Sequence, residues 1–284
     1  MATDDIQSYA RANGLSLMGS RPPLGQYLLE TWKRKDFAWT LASLNKAAEN
    51  ASSRFGMWWI LLVPILQSII FGMLIGFLLG RLRDPAFIPY LFTGVFLYTF
   101  VSGTFTSGAT SITGNQGLIK SINFPRMIMP MAEVFKQFLG FLPSIPILIL
   151  FVVVITQSLK WQLVFLPLIL ALLVVFGFGI ALIAARLTVD VSEIGRIIPF
   201  ITRLGFYASG VFFHPAHIGA KSEVFNIIMN ANPVYCFLML ARGTLVPGYE
   251  LEQIHWIIAL SWTFGVLIVG ILFFWRAEER YVIE

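Results

Sequence analysis

Apolar residues run through this chain in long blocks separated by short polar punctuation. The block from Phe55 to Gly80 holds no charge, opens on Trp58-Trp59 and carries Pro64. Further blocks cover about 86–105, 138–156 (with Pro143 and Pro146 inside), 161–185, 197–213 and 256–275. A membrane crossing needs roughly 20 apolar residues, so the pattern predicts an all-α integral membrane protein with six transmembrane helices. The block at 197–213 is short and contains Arg203. An arginine there costs at least a few kcal/mol unless it snorkels, pairs or faces water.

The remaining segments have patterns of their own. Residues 1–30 read as a polar cytoplasmic tail, broken by Pro22-Pro23 and glycines. Over 31–54, Phe37, Leu41, Leu44 and Ala48 recur at helical spacing beside Lys33, Arg34, Lys35 and Lys46. That describes an amphipathic helix in the membrane interface, or a soluble helix packed on a partner. Between the fifth and sixth spans, apolar pieces near Val224–Met229 and Val234–Leu240 are each too short to cross. They flank Asn230-Ala231-Asn232-Pro233 and read as a re-entrant hairpin, or as a loop lying on the surface. Gly72, Gly76 and Gly80 fall on one helix face and permit close approach by another helix, from a second copy or from the same chain. Phe92, Phe96 and Phe100 form a stripe suited to packing or to a ligand path.

Composition changes the picture little. Of 284 residues, 57% are hydrophobic and 12% charged, against about 25% charged in soluble domains; the mean hydropathy is +0.77. The first 20 residues are polar and lack the order of a signal peptide, so the membrane helices themselves would direct targeting. A net charge of +5 would suggest nucleic acid in a soluble protein; here it reflects basic cytoplasmic loops, and no nucleic-acid partner is expected. Of the 20 Lys and Arg, only Arg81, Arg83, Lys160, Lys221 and Arg242 fall on one side. The excess on the other side puts both termini and the loop near residue 120 in the cytoplasm.

Chemistry is mostly absent. The lone Cys236 excludes a disulfide framework. No P-loop, H-E-x-x-H or G-x-S-x-G occurs. His214 and His217 suit a surface loop better than a metal site, and no metal is expected. Glu133, near a span end and three residues from Lys136, is the one carboxylate candidate for proton coupling. The chain offers a path without an evident energy source.

The order of short motifs resembles the type-2 ABC permeases that export lipid-linked polysaccharides such as O-antigen and teichoic acid. Ser53–Pro64 reads S-R-F-G-x-x-W-x-x-x-x-P, and Leu118–Arg126 reads L-I-K-S-I-N-F-P-R. Arg186 and Asp190 follow the fourth span, and N-P-V-Y (Asn232–Tyr235) with Arg242 precedes the sixth. The long polar tail is similar to that of the actinobacterial branch exporting a cell-wall galactan precursor. Where the family often has Ser-Pro near the end of span five, this chain reads Ser209-Gly210-Val211.

The resemblance implies a homodimer with two copies of a separate P-loop ATPase, which would hold ATP and Mg, while this chain is no enzyme and carries no cofactor. It implies a socket for that ATPase at Asn115, Leu118, Lys120, Phe124, Pro125 and Arg126 with Lys33, Arg34 and Lys35. Spans one and five would line a channel at the dimer interface, with Trp58, Trp59, Phe200, Phe206, Tyr207, Phe212 and Phe213 as its aromatics. Arg34, Arg54 and Arg203 are candidate contacts to the lipid phosphate, or headgroup snorkellers. Asn230, Asn232, Pro233 and Tyr235 would belong to an external gate hairpin. Alternatives are a drug or lipid exporter of the same superfamily, or a membrane-embedded transferase or hydrolase, for which no polar catalytic cluster is visible.

Overall fold

The computed structural model describes residues 22–52, 54, 56, 58–78, 86–213, 223–278 and 281. Gly80, Arg81, Arg83, His214, His217, Lys221 and the start of the first apolar block at Phe55 lie outside the described residues. Twelve α-helices and two short 3-10 turns make up the described chain, with no strand among them.

Two amphipathic helices come first, α1 (Leu24–Lys33) and α2 (Lys35–Ala51), separated by a break at Arg34. This corrects the expectation of an unstructured tail to residue 30 followed by one helix. Pro22-Pro23 starts a helix here, because a proline at a helix entrance has no N–H to waste. Then follow α3 (Trp58–Leu78), α4 (Phe87–Thr110), the short α5 (Gln116–Ser121), α6 (Ile128–Phe141) and α7 (Ser144–Thr156). The chain continues with α8 (Leu166–Asp190), α9 (Glu193–Ala208), α10 (Glu223–Ala231), α11 (Pro233–Leu245) and α12 (Gln253–Trp275).

Four stretches are long and apolar enough to cross a membrane: α4, the run Ile128–Thr156, Trp161–Asp190 and α12. A fifth counts if α10 and α11, bent by 84° at their junction, make one broken crossing. Six crossings were expected. α3 is 21 residues long and uncharged from Trp58 to Leu78, the length of a crossing, and its described apolar run covers Leu61–Phe77. The fifth expected span is the 16-residue α9, which stops at Ala208. It stops there because Gly210 takes φ +66°, a turn that glycine makes without steric cost. The third span begins ten residues before its expected start, since Ile128–Val134 is buried in the bundle.

Central helix α4 packs on α8 and, less extensively, on α3, α6, α7, α9 and α11. Its hydroxyls turn back onto their own helix: Thr93 donates to Pro89 O, Thr99 to Val95 O and Ser107 to Gly103 O. A helix rich in Ser and Thr is thus compatible with a dry core. The closest helix approaches use glycines that the sequence pattern did not single out. A Cβ on Gly108 would lie 2.5 Å from that of Ala181, and one on Gly270 would lie 2.6 Å from Gly179 O. Gly72 and Gly76 are buried, and Gly72 meets Leu91 of α4, so its packing lies within the chain.

Two buried clusters result. The larger fills the space among α4, α7, α8 and α11. The smaller gathers Tyr27, Ala38, Phe124, Met127, Ile128, Phe274, Ala277 and Tyr281 at one end. The near end of the bundle is the one where this second cluster joins both described chain ends to the 111–127 hairpin; the opposite end is the far end.

Candidate functional site

The near end is built around the hairpin between α4 and α6. Its tip is open: Lys120 and Asn123 are exposed, and Ile122 is 50% exposed. Its base is not. Phe124, Pro125 and Arg126 are buried, which corrects the expectation that they offer docking surface. They anchor the hairpin: the Phe124 ring meets Phe37 of α2 at 5.7 Å, and Arg34 Nη1 donates to Asn123 O at 2.9 Å. Asn115 Nδ2 donates to Ser111 O at 2.8 Å, fixing the other limb, and Leu118 is half-buried. Lys33, Lys35 and Arg54 are exposed. Lys33 and Lys35, with Arg34 and Lys120, make this end basic. Ile122, the most open apolar residue of the tip, was missed because one apolar residue in a polar loop carries no periodicity.

A charged clasp holds α2 against α6. Lys136 Nζ lies 3.0 Å from Glu49 and 2.7 Å from Glu133, and Lys46 lies 3.2 Å from Glu49. Burial alone would raise the Glu49 carboxyl, but Lys136 and Lys46 outweigh it and hold it below the usual carboxylate value. The carboxylate singled out for proton coupling, Glu133, is therefore committed to an ion pair. Arg186 pairs with Asp190 at 2.9 Å and lies over the rings of Phe273 and Tyr281.

Aromatic residues at the far end form a wall shared by α3 and α9. Phe206, Tyr207 and Phe212 surround Phe71, with centroid separations of 5.5, 6.4 and 4.8 Å. Phe71 was not foreseen because it sits among unbroken apolar positions. Phe212 is 4% exposed and Phe206 half-buried, so these two build the wall without offering a free face. Tyr207 and Phe200 are open, as is Arg203 between them; spacings of three, four and seven residues put all three on one helix face. Phe213 turns away to Phe225 at 6.2 Å. Trp58 and Trp59 are open but sit at the other end of α3 and do not join this group.

The bent α10–α11 pair is fastened at its corner. Asn232 Oδ1 accepts from Val234 N–H at 3.0 Å and Tyr235 N–H at 3.4 Å, with Pro233 in the first helical position; this is an asparagine N-cap with proline at N1. Asn230 Oδ1 lies 3.3 Å from His255 Nε2, and Tyr235 is buried against Gly210. Arg242 pins α11 to the far end, donating to Tyr90 O, Gly210 O and Val211 O at 3.2, 3.0 and 2.9 Å. Tyr90 Oη donates to Phe213 O at 2.7 Å. Lys160 Nζ donates to the carbonyls of Gly243, Val246 and Tyr249, and burial holds its ammonium below the ordinary lysine value.

Among the described residues no three of His, Cys, Asp and Glu come together as metal ligands. The arrangement is a scaffold with a basic handle at one end and an aromatic wall at the other.

Residues 47–246 match the ABC-2 type transporter family. The chain is 29% identical over 235 residues to the O-antigen export system permease protein RfbA of Klebsiella pneumoniae, covering 81% of this chain and 87% of that protein. A Myxococcus xanthus protein of the same name is 21% identical, covering 89% of this chain and 94% of the relative. The polysialic acid transport protein KpsM of Escherichia coli is 24% identical, covering 80% of this chain and 87% of the relative.

Proposed function

The chain belongs to the ABC-2 type transporter family, and on that premise we propose that it is the permease subunit of a polysaccharide exporter in a bacterial plasma membrane. The observation that carries this reading is the near end: an exposed basic hairpin tip on a buried base, with no nucleotide-binding loop in the sequence. Such a hairpin is a handle for force made elsewhere. On this reading a separate P-loop ATPase, holding ATP and Mg, docks on Lys33, Arg34, Lys35, Lys120 and Ile122 in the cytoplasm, where both termini lie. Two copies pair so that α3 and α9 line a path, and a lipid-linked glycan passes along it.

Several features support the finer parts. Phe200, Arg203 and Tyr207 combine ring faces for sugar with a cation for phosphate on one open helix face. The relatives named for O-antigen and polysialic acid support a glycan cargo. Gly210 near the entry to the α10–α11 pair and Val246 at its exit are both held at the far end, by Arg242 and Lys160. That favours a re-entrant hairpin gating the far end over a crossing.

The test is a tagged chain purified from its native membrane. An ATPase of P-loop type should come with it, and the double variant Lys120→Glu, Ile122→Asp should lose that partner. Cells carrying the double variant should lack surface polysaccharide and accumulate its lipid-linked precursor. Normal export from the double variant would remove the reading.

A further inference from the structure

Glu278 sits just past the end of α12 and is 1% exposed, yet it is a carboxylate with its oxygens fully engaged. Oε2 accepts from Tyr27 Oη at 2.6 Å. Oε1 accepts from the Arg126 backbone N–H at 3.0 Å and from Arg126 Nη1 at 3.3 Å. Tyr27 Oη in turn accepts from Met127 N–H at 3.1 Å. The N–H groups of 126 and 127 lie where the hairpin turns into α6, and helix entrances leave such donors unpaired. Here they are satisfied by residues 152 and 100 positions away in sequence. A local capping residue would have served for stability alone. This arrangement instead ties the hairpin, α1 and the end of α12 into one joint, jacketed by Phe124, Phe274, Ala277 and Tyr281 so that water does not loosen it.

The N-terminal half of α12 is fastened too. His255, in its first turn, meets Asn230 at 3.3 Å, and Trp262 Nε1 donates to Ala231 O at 3.0 Å. Both partners lie at the corner of the bent pair. A helix of 23 residues is about 34 Å long and stiff at 1.5 Å per residue. It contains no proline to absorb displacement.

We propose that α12 is the rod that carries hairpin displacement to the α10–α11 pair, with Glu278 the positioning residue that couples its C-terminal end and Trp262, midway along it, the residue that meets the corner. This rests on the ATPase-driven reading above. A push on Lys120 and Ile122 loads Glu278 through Arg126 and Tyr27, shifts α12, and moves the corner at Ala231.

The experiment uses the permease–ATPase complex purified through a tag on this chain, with ATP hydrolysis measured in proteoliposomes and surface polysaccharide measured in cells. Glu278→Gln should keep the ATPase bound and hydrolysing, while export per ATP falls about tenfold, as expected for one lost charge-assisted bond. Tyr27→Phe, which keeps the carboxylate and its Arg126 contacts, should give a smaller loss and serves as the readout if the Gln variant fails to reach the membrane. Trp262→Phe should cut export per ATP several-fold. The double variant Glu278→Gln, Trp262→Phe should be no worse than Glu278→Gln alone, because two breaks in one rod count once. Losses that multiply would reduce both contacts to independent staples and overturn the proposal. So would wild-type export per ATP in Glu278→Gln, or loss of the ATPase from that variant. A wild-type chain that brings no ATPase with it would remove the functional reading itself.

Discussion

Replacing Arg242 by lysine and by methionine separates charge from geometry at the far end. The guanidinium is fully buried, its carbon 3.3 Å from the centroid of the Tyr90 ring. Among the described residues no carboxylate forms an ion pair with it. Three carbonyls and an aromatic face take the place of water. A planar fork suits that cage, whereas a lysine ammonium is a compact, strongly hydrated point charge with three donors. Arg242→Lys therefore leaves a charge buried and poorly solvated, at about 3–5 kcal/mol. Arg242→Met removes the charge and orphans the Val211 carbonyl, at about 1–3 kcal/mol. Gly210 O keeps only a share of the Tyr90 hydroxyl at 3.0 Å, whose one hydrogen lies closer to Phe213 O at 2.7 Å. With roughly 4 and roughly 2 kcal/mol lost, and about 3 °C per kcal/mol in a chain of this size, melting midpoints should fall by roughly 12 and 6 °C. The assay is tryptophan fluorescence against temperature in detergent micelles. A Lys variant that melts with the wild type, or above the Met variant, would refute the argument.

Three other outcomes follow from the same contacts. Lys160→Gln should lower the midpoint by several degrees, because three carbonyls at the end of α11 lose a charged donor; no shift would mean that solvent already serves them. Asn232→Ala should cost about 1 kcal/mol through the lost cap, and Asn232→Asp should restore most of it in the same melting assay. Burial raises the Glu278 carboxyl above its ordinary value of 4.5, against the opposing pull of Arg126 and Tyr27. The folded chain then holds that proton more tightly than the unfolded one. The resulting stability is complete below the unfolded value and is lost as pH rises through the folded one. Melting curves taken upward from pH 4.5 should show this loss in the wild type and not in Glu278→Gln, and parallel pH profiles would count against it.

Hydropathy alone determined that this is a multi-pass helical membrane protein, because lipid forces every crossing to be a long apolar helix whatever its neighbours do. The sequence also marked the Asn232-Pro233 corner, whose cap chemistry is local, and the Glu133–Lys136 pair, which needs only one helix face. It also put Lys120 in a polar hairpin between two apolar blocks. It could not say which hairpin residues face outward. Phe124, Pro125 and Arg126 look as available as Lys120 until α1, α2 and the chain end close over them. Nor could it place the end of α9, since the stop at Gly210 depends on how Arg242 grips that turn from a distant helix. Glu278 looked like one more tail charge. Only the tertiary structure brings Tyr27, Arg126 and Glu278 into one dry joint, because contacts across 152 and 251 residues leave no periodicity in the chain and exist only once the helices have packed.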